Sequence, residues 1–396
     1  MIPTNPKYKV KLIAVAKDEG AYLTEWIHHH LFYGFSEIEI VLNRTSDNSI
    51  AILEKIKAVC PGVRWRFADF VDLIPGSVHK KLQHIAYGMV LSDELNRSES
   101  SLTHFMFLDI DEFWMPVHPI TSISSLIDSI GPDKAISFNW LNDLPADKTF
   151  TGIKPVLSGN TSDAVKSLVP FSRHLRSIRI HKPLLKPNDY VLADGNPFIK
   201  REHDEEHSAR TDYSKAFIYH RFYRSEVEYV SSLYRGNPEG TGQPYKTNRS
   251  GMPDRGNADH EYKFTSSDFA EYSASLTEFL NLTGLRQFID DARELVMKRH
   301  ELAVKSLEAN LPLYHKQIMK LFRNVKEFRI KNAISRYHDK LVSDYGKNVE
   351  AIRDLAISIE EYSYVEAKRI MLKAQALRPE GPKIKAKINE YDQKIV

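Results

Sequence analysis

Cysteine is almost absent from this sequence of 396 residues, which contains a single one, Cys60. One thiol excludes an internal disulfide framework and a metal centre built from several cysteines. Cys60 ends an apolar helical stretch, so we expect it to be a buried structural thiol.

Long apolar runs and a charge excess are lacking as well. No uncharged run of eighteen apolar residues occurs, and residues 1–6 lack the apolar segment of a signal peptide. We therefore expect a cytoplasmic protein without a membrane span. The 55 Lys and Arg residues nearly balance the 52 Asp and Glu residues, whereas a dedicated nucleic-acid binder usually has a strongly basic domain. No nucleic-acid partner is expected.

The most informative segment is Phe105–Trp114, FMFLDIDEFW, in which four apolar residues lead directly into Asp109 and Asp111. The apolar run predicts a buried central strand that ends at Leu108. Because carboxylates are almost never buried without a partner, both aspartates should face a crevice at the carboxyl end of that strand. Residues i and i+2 project to the same side, so the pair can share Mg²⁺ or Mn²⁺. The alternative is a solvated turn that caps the following segment.

The first 67 residues alternate between strand and helix patterns. The predicted order is a strand over 8–16, a helix over 21–31, a strand over 38–42, a helix over 50–59 and a strand over 63–67. This alternation is typical of a doubly wound α/β sheet, in which ligands bind beyond the carboxyl ends of the strands. The polar segments Lys17–Glu19, Asn43–Asp47 and Asp109–Asp111 follow such ends and should converge on one crevice.

These segments resemble a family of bacterial glycosyltransferases, the family-2-like enzymes related to the family-92 galactosyltransferases. Leu108–Phe113 matches the DIDEF motif of that family closely. The other matching segments are Ala16–Gly20 with Leu23–Ile27, His30 with Gly34, Asn43–Ser49, Tyr219–Ser225 and Tyr234–Gly236. The resemblance covers roughly residues 9 to 236.

The resemblance implies an α/β fold of the GT-A nucleotide-diphosphosugar transferase type, with a Rossmann-like mixed sheet. The helical pattern that begins near residue 266 adds a C-terminal all-helical extension. The predicted catalytic domain spans residues 1–265. Its nucleotide-binding half covers about 1–115 and its acceptor-side half about 116–265. Residues 266–396 form the predicted helical region.

The resemblance also implies a metal site and a donor site. Asp111 would bind Mn²⁺ or Mg²⁺ directly, Asp109 would bind the metal or the ribose, and His220 would complete the metal shell. A hydrogen-bonded structural histidine is the alternative for His220. The remaining residues predicted for the donor nucleotide are Ala16, Glu19, Asn43 and Asp47, with Asp109. The positive charges of Lys182, Lys186 and Arg224 make them candidates for the diphosphate, and solvated surface side chains are the alternative.

A general base is required if the transfer inverts the anomeric centre, because a carboxylate must take the proton of the acceptor hydroxyl. Asp143 follows the apolar segment 138–141 and fits a strand end that faces the acceptor. The other downstream carboxylates stay open as alternatives: Glu202, Asp204, Glu205, Asp254 and Asp259.

The C-terminal part has a helical pattern, with a predicted helix over 275–310 and a helical hairpin over 349–394. Between them, residues 316–336 read as a basic helix with an apolar stripe. Such a helix is typical of peripheral contact with an anionic membrane or with a partner protein. The alternative is an ordinary amphipathic helix packed on the catalytic domain. With the membrane contact, the enzyme would lie peripherally at the inner membrane face.

The predicted function is metal-dependent transfer of a hexose from a UDP-sugar or another nucleotide-diphosphosugar to a glycan or lipid-linked acceptor, with inversion. Bacterial surface polysaccharide or lipopolysaccharide synthesis is the expected context. A sugar nucleotidyltransferase is one alternative, although the acidic segment Lys17–Gly20 is unlike a loop that cradles triphosphate. A non-catalytic scaffold acting through the helical tail is the other, and the presence of both Asp109 and Asp111 argues against it.

Overall fold

The computed structural model describes residues 6–75, 81–97, 100–172, 175–185, 189–202, 204–236, 244–253 and 256–395. Lys186 and Asp254, both named above as candidates, lie outside these ranges. The chain forms two compact units. Unit 1 comprises Met1–Leu144, Phe150–Arg224 and Asn257–Val296, and unit 2 comprises Pro145–Thr149, Ser225–Gly256 and Met297–Val396. The domain boundary at residue 265 stays a prediction.

The strands belong to unit 1. They are β1 Val10–Ala16, β2 Glu37–Leu42, β3 Val63–Phe67, β4 His104–Phe107, β5 Glu112–Pro116, β6 Ala135–Asp143, β7 Val156–Pro170, β8 Leu175–Ser177, β9 Leu184–Leu185, β10 Tyr190–Leu192, β11 Lys200–Arg201, β12 Asp204–Ser208, β13 Ala216–His220 and β14 His260–Lys263. The first three agree with the predicted strands to within two residues, because each is a short apolar run between polar turns.

The helices follow in chain order. They are α1 Gly20–Phe32, α2 Ser49–Val59, α3 Leu82–Asn96, α4 Ile123–Ile130, α5 Glu226–Leu233, α6 Ser266–Thr283, α7 Arg286–Leu321, α8 Phe328–Tyr345, α9 Val349–Ile359, α10 Tyr364–Leu377 and α11 Pro382–Lys394, with a 3₁₀ helix at Asp69–Leu73. The prediction of one continuous helix over 275–310 is wrong, because Gly284 ends α6 in the left-handed region at φ 63°.

The main sheet has the strand order β3-β2-β1-β4-β7-β6-β13-β5. β1 pairs in parallel with β2 and β4, and β2 pairs in parallel with β3. β7 runs antiparallel to both β4 and β6, while β13 is parallel to β6 and antiparallel to β5. The predicted mixed α/β sheet with C-terminal helices is confirmed.

This topology brings distant strand ends to one border of the sheet. β7 runs antiparallel to both of its neighbours, β4 and β6, so β6 runs in the same direction as β4. β13 is parallel to β6, and therefore both run the same way as β1, β2 and β4. Their carboxyl ends therefore share one border, which we call the carboxyl edge: the ends of β1, β2, β4, β6 and β13 with the residues that follow them. β5 starts at this edge, because Glu112 pairs with His220.

Helix α1 covers one face of the sheet and buries Leu23, Trp26 and Ile27 completely. The three histidines that follow are buried as well, and each has its own hydrogen-bond partner. His28 bonds Ser275 Oγ, and His29 and His30 bond backbone carbonyl oxygens. Burial lowers the pKa of His28 to about 4 and that of His30 to about 3, so these rings are neutral parts of the core near pH 7.

In unit 2, the segment 316–336 is not the single basic helix that the sequence pattern predicts. α7 ends at Leu321, Asn324 adopts a left-handed conformation at φ 60°, and α8 begins at Phe328. The Asn324 side chain donates to the Met252 carbonyl oxygen at 3.0 Å, which stabilises this break. Most of the apolar stripe is buried in the protein, although Phe328 is exposed.

The predicted hairpin over 349–394 consists of three helices, α9 to α11. Asn348 and Ser363 cap the first two, and Pro382 stands in the first turn of the third. Among the helices of the described residues, none combines the length and the apolar character that crossing a membrane requires.

Candidate active site at the carboxyl edge

The two aspartates lie in a tight turn between β4 and β5. The Trp26 indole donates to the carbonyl oxygens of Asp109 at 3.0 Å and of Glu112 at 2.8 Å, which fixes the turn to helix α1. The Asp109 backbone N–H also donates to Glu112 Oε2 at 2.9 Å. The side chains of Asp109 and Asp111 remain 36% and 21% exposed. The turn therefore presents both carboxylates to the outside of the sheet, as its position after a buried strand predicts.

His220 faces Asp111 from the end of β13. Its Nε2 lies 3.8 Å from Asp111 Oδ2, and its Nδ1 lies 3.1 Å from the amide oxygen of Asn142 on β6. An amide oxygen only accepts, so a neutral imidazole in this contact carries its proton on Nδ1 and has its Nε2 lone pair on the side of Asp111. A side-chain partner that fixes the tautomer in this way is typical of histidines that ligate metals.

The residues present fit a hard divalent cation. A carboxylate oxygen and a neutral imidazole nitrogen suit Mn²⁺, and Mg²⁺ is commonly held by one or two carboxylates together with substrate phosphates. Within the described part of the chain, no group of three or more His, Cys, Asp or Glu side chains has the arrangement of a metal centre. Asp111 and His220 would thus be the protein's ligands, and a diphosphate would supply further oxygens.

Asp109 is held by a buried lysine. Lys166 Nζ lies 3.4 Å from Asp109 Oδ2 and 3.2 Å from Glu112 Oε2, and the Lys166 and Glu112 side chains are fully buried. Gln83 donates to the other Asp109 oxygen at 3.0 Å. Burial disfavours the ammonium, but the two carboxylates outweigh it and raise the pKa of Lys166. Asp109 is therefore held in one orientation, with one carboxylate oxygen on each partner.

Asp143 ends β6 and is only 4% exposed. Burial raises the pKa of this carboxyl to about 7, although the positive charge of Arg221 acts in the opposite direction. The backbone N–H of Tyr223 donates to Asp143 Oδ1 at 3.4 Å. A carboxyl group with a pKa near neutrality can take a proton in a general-base step, as the sequence position suggests.

Arg224 and Glu19, both predicted to contact the donor, contact each other. Their ion pair measures 3.4 Å between Nη1 and Oε2, and the guanidinium stacks on the Tyr22 ring at 3.4 Å from the centroid. Arg224 also donates to the Ile110 carbonyl oxygen at 3.4 Å and adopts φ 54°. A left-handed conformation is strained for a residue with a Cβ, and such strain is concentrated at functional sites.

The predicted nucleotide residues of the first two strands form the turns themselves. Asp47 accepts from the backbone N–H groups of Gly20 at 2.8 Å and Ser49 at 3.0 Å. Asn43 is buried and donates to Asp72 at 3.0 Å, and its backbone N–H bonds the carbonyl oxygen of Ala16. Asp47 and Asn43 thus hold the turns that follow β1 and β2 at the carboxyl edge.

Lys182, predicted to bind the diphosphate, and three of the alternative bases have other contacts in unit 1. Lys182 is buried, with Nζ 4.2 Å above the Tyr190 ring, and burial lowers its pKa to about 8. Among the alternative bases, Glu205 pairs with Arg179, Asp204 pairs with His207 at 2.6 Å and Asp259 accepts from Thr161. Glu202 is an exposed residue after β11. Of the candidate carboxylates that the structure describes, Asp143 alone ends a strand at the carboxyl edge.

Sequence reasoning did not identify Asn142, Lys166, Gln83 or Arg221. Lys166 left a usable signal, because it is a lysine inside the buried run Ala164–Val169 of β7. A charged residue in such a run requires a partner of opposite charge. Asn142, Gln83 and Arg221 carry no comparable signal, because their roles depend on which strand or helix lies beside them.

No protein-family model and no curated protein matches this sequence. Among solved structures, the galactosyltransferase LgtC in complex with donor and acceptor sugar analogs is similar at 15% identity and a TM-score of 0.22, over 41% of this chain and 58% of that chain. S. aureus TarS is similar at 12% identity and a TM-score of 0.25, over 97% of this chain and 54% of that chain. The chain thus spans less than two thirds of either structure, and likenesses at this level do not show a family.

Proposed function

We propose that this protein is a metal-dependent glycosyltransferase of the GT-A type that transfers a hexose from a nucleotide-diphosphosugar, with UDP as the nucleotide. The acceptor would be a glycan or a lipid-linked glycan of bacterial surface polysaccharide or lipopolysaccharide. The observation that supports this most is the pairing of Asp111 with His220 Nε2, in the tautomer that the Asn142 contact assigns. It lies at the carboxyl edge of a mixed sheet, where ligands of α/β proteins bind.

Each residue has a role that its contacts favour. Asp111 and His220 would hold Mn²⁺ or Mg²⁺, and Asp109, oriented by Lys166 and Gln83, would meet the ribose or the metal. Bound there, the cation would stabilise the negative charge of the leaving diphosphate. Arg224 lies near the same turn through its bond to Ile110 and would add positive charge beside the diphosphate.

The transfer would proceed by a single displacement with inversion. The acceptor hydroxyl oxygen forms a bond to the anomeric carbon while the bond from that carbon to the diphosphate oxygen breaks. The hydroxyl proton passes to the Asp143 carboxylate, and the leaving group departs as the nucleoside diphosphate. A pKa of about 7 makes Asp143 a stronger base than an exposed aspartate while leaving much of it ionised near neutral pH.

The two other functions are less consistent with these contacts. A nucleotidyltransferase must bind a triphosphate, yet the loop after β1 carries the negatively charged residue types Asp18 and Glu19. The Asp18 carboxylate also accepts the Ser46 backbone N–H at 2.6 Å, so this donor is already used within the protein. A scaffold would have no use for a buried aspartate with a raised pKa or for a strained arginine at the sheet edge.

Thermal shift with a panel of UDP-, GDP-, CMP- and dTDP-sugars, with and without MnCl₂, tests the proposal. A ligand that binds only the native state raises the melting temperature. We expect a UDP-sugar to do so only when metal is present, and the Asp111→Asn variant to lose the effect. The exposed Asp133→Asn is the matched control. A metal-independent shift, or a normal shift in Asp111→Asn, would contradict the proposed site.

A further inference from the structure

Unit 1 contains a cavity of about 160 Å³ that the proposed donor site does not use. It is lined by parts of α1, α6 and α7 and by the segment 150–152. Its lining includes Thr24, Glu25, Phe150, Arg221, Leu280 and Arg293.

Two residues of this lining each carry a buried polar atom that has no hydrogen-bond partner within the described part of the chain. Thr24 is 2% exposed, and its hydroxyl is one of them. The buried Nε of Arg293 is the other. Most buried polar groups in folded proteins are hydrogen-bonded, and an unpaired one costs free energy. Both residues line one cavity, which points to a ligand that offers oxygen atoms there.

The same wall carries acceptors and a further donor. Glu25 Oε1 accepts the Ile153 backbone N–H at 2.7 Å, and Glu25 Oε2 lies 3.7 Å from Arg221 Nη1. Arg221 is buried and donates to the Thr151 carbonyl oxygen. A Cβ at Gly152 would come within 2.5 Å of Glu25 Oε1, so glycine allows this close approach. Closely spaced donors and acceptors suit hydroxyl groups, which both donate and accept.

The apolar part of the lining complements this set. Phe150, Leu280 and Ile289 present an aromatic ring and aliphatic side chains to the same space. Ligand sites commonly combine apolar walls with a few placed polar groups. A pyranose ring has a matching division, with C–H groups on its faces and hydroxyls around its rim.

Arg221 connects this cavity to the candidate active site. It directly follows His220, its backbone N–H donates to the Asp111 carbonyl oxygen at 2.7 Å, and its charge acts on Asp143. The cavity therefore shares a lining residue with the surroundings of the candidate base. We infer that it is the acceptor subsite and holds one hexopyranose unit of the acceptor, with hydroxyls on Thr24, Arg293 and the Glu25–Arg221 pair. This inference rests on the proposed glycosyltransferase function.

Saturation-transfer difference NMR with methyl glycosides of glucose, galactose, mannose and N-acetylglucosamine tests the subsite on the full chain. We expect at least one glycoside to bind, and Thr24→Val and Arg293→Gln each to weaken that binding by about fivefold, the effect of one net hydrogen bond. Thr24→Val keeps the side-chain shape and removes a hydroxyl without a partner, so its melting temperature should not fall. The exposed Thr121→Val is the matched control and should bind normally.

The outcomes separate the subsite from the proposed function. Absence of binding by every glycoside, or unchanged binding in both Thr24→Val and Arg293→Gln, would overturn the subsite even if a UDP-sugar with Mn²⁺ still raises the melting temperature. Glycoside binding that the two variants weaken would support the sugar site. If no nucleotide-sugar then binds, the glycosyltransferase proposal fails while the sugar cavity stands.

Discussion

His220 Nε2 lies 3.8 Å from Asp111 Oδ2, and the amide oxygen of Asn142 holds the opposite ring nitrogen at 3.1 Å. Asn142 thus acts as a positioning residue for His220. We predict that Asn142→Leu lowers Mn²⁺ affinity by about 10- to 100-fold, the usual cost of losing a partner of a metal-ligating histidine. Mn²⁺ titration followed by electron paramagnetic resonance measures this. Asn142→Asp keeps an oxygen acceptor and should retain most of the affinity, and equal losses in both variants would contradict the role.

The buried Lys166 provides a prediction about stability. Lys166→Met would leave the fully buried Glu112 without its cation. Removing one partner of a buried ion pair typically costs about 3–5 kcal/mol of unfolding free energy. Urea denaturation should show a loss of that size. The double variant Lys166→Met, Glu112→Gln should recover much of it, and additive losses in the double variant would show that the two side chains are not coupled.

Asp143 provides a prediction about pH. Because the deprotonated form is the base, kcat/KM should rise with pH and level off above about 7, the raised pKa of this group. Asp143→Asn should lower kcat by about 10²- to 10⁴-fold and remove this rising limb. A rate profile that is flat between pH 5 and 8 in the wild type, or a limb that persists in Asp143→Asn, would assign the base to another residue.

The Asp143 carboxyl group makes folding stability fall with rising pH, whereas it makes kcat/KM rise. Its pKa is raised from 3.8 to about 7, so between these values the folded state binds a proton that the unfolded state has released. The Asp143 contribution to stability therefore falls as pH rises through this window. Asp143→Asn lacks this term, so its advantage over the wild type in urea denaturation should grow between pH 4 and 7. An advantage that does not change with pH would contradict the raised pKa.

The strand and helix order up to residue 67 was predictable because each element is encoded locally by apolar periodicity and polar turns. The position of Asp109 and Asp111 after a buried strand was predictable for the same reason. The partners of these residues were not, because they come from far along the chain. Lys166 is 57 residues from Asp109, and Asn142 is 78 residues from His220. Their proximity depends on strand order, which a single sequence does not specify.

The breaks in the C-terminal helices were missed although local signals exist. Gly284 and Asn324 are residue types that adopt the left-handed conformation readily, and both do so here. The apolar periodicity continues on either side of each break, so it predicts a helix that runs through both residues. The single basic helix over 316–336 was predicted wrongly for this reason.

Peripheral membrane contact of residues 316–336 stays a prediction, and its form changes with the structure. Since most of the apolar stripe is buried, the contact would be electrostatic, and each Lys or Arg near an anionic surface is worth about 1 kcal/mol. We expect the chain to bind phosphatidylserine vesicles at low salt, and Lys320→Glu, Arg323→Glu and Lys326→Glu together to release it. Co-sedimentation measures both.

The control for this experiment is a triple reversal of equal charge elsewhere in unit 2, at the exposed residues Lys340, Lys347 and Lys383. It should leave vesicle binding intact. Loss of binding in both triple variants would indicate a general charge effect, and binding that persists in the 320, 323 and 326 variant would exclude this segment as the contact.

Asp111 and His220 are predicted to hold the cation that binds the donor diphosphate. Crystals of the full chain grown with MnCl₂ and UDP, and measured at the manganese absorption edge, test it most directly. We predict an anomalous peak for a manganese ion that is coordinated by the Asp111 carboxylate and His220 Nε2, with diphosphate oxygens on the other side of the ion. UDP bound at the carboxyl edge with no peak at these two residues would contradict the account.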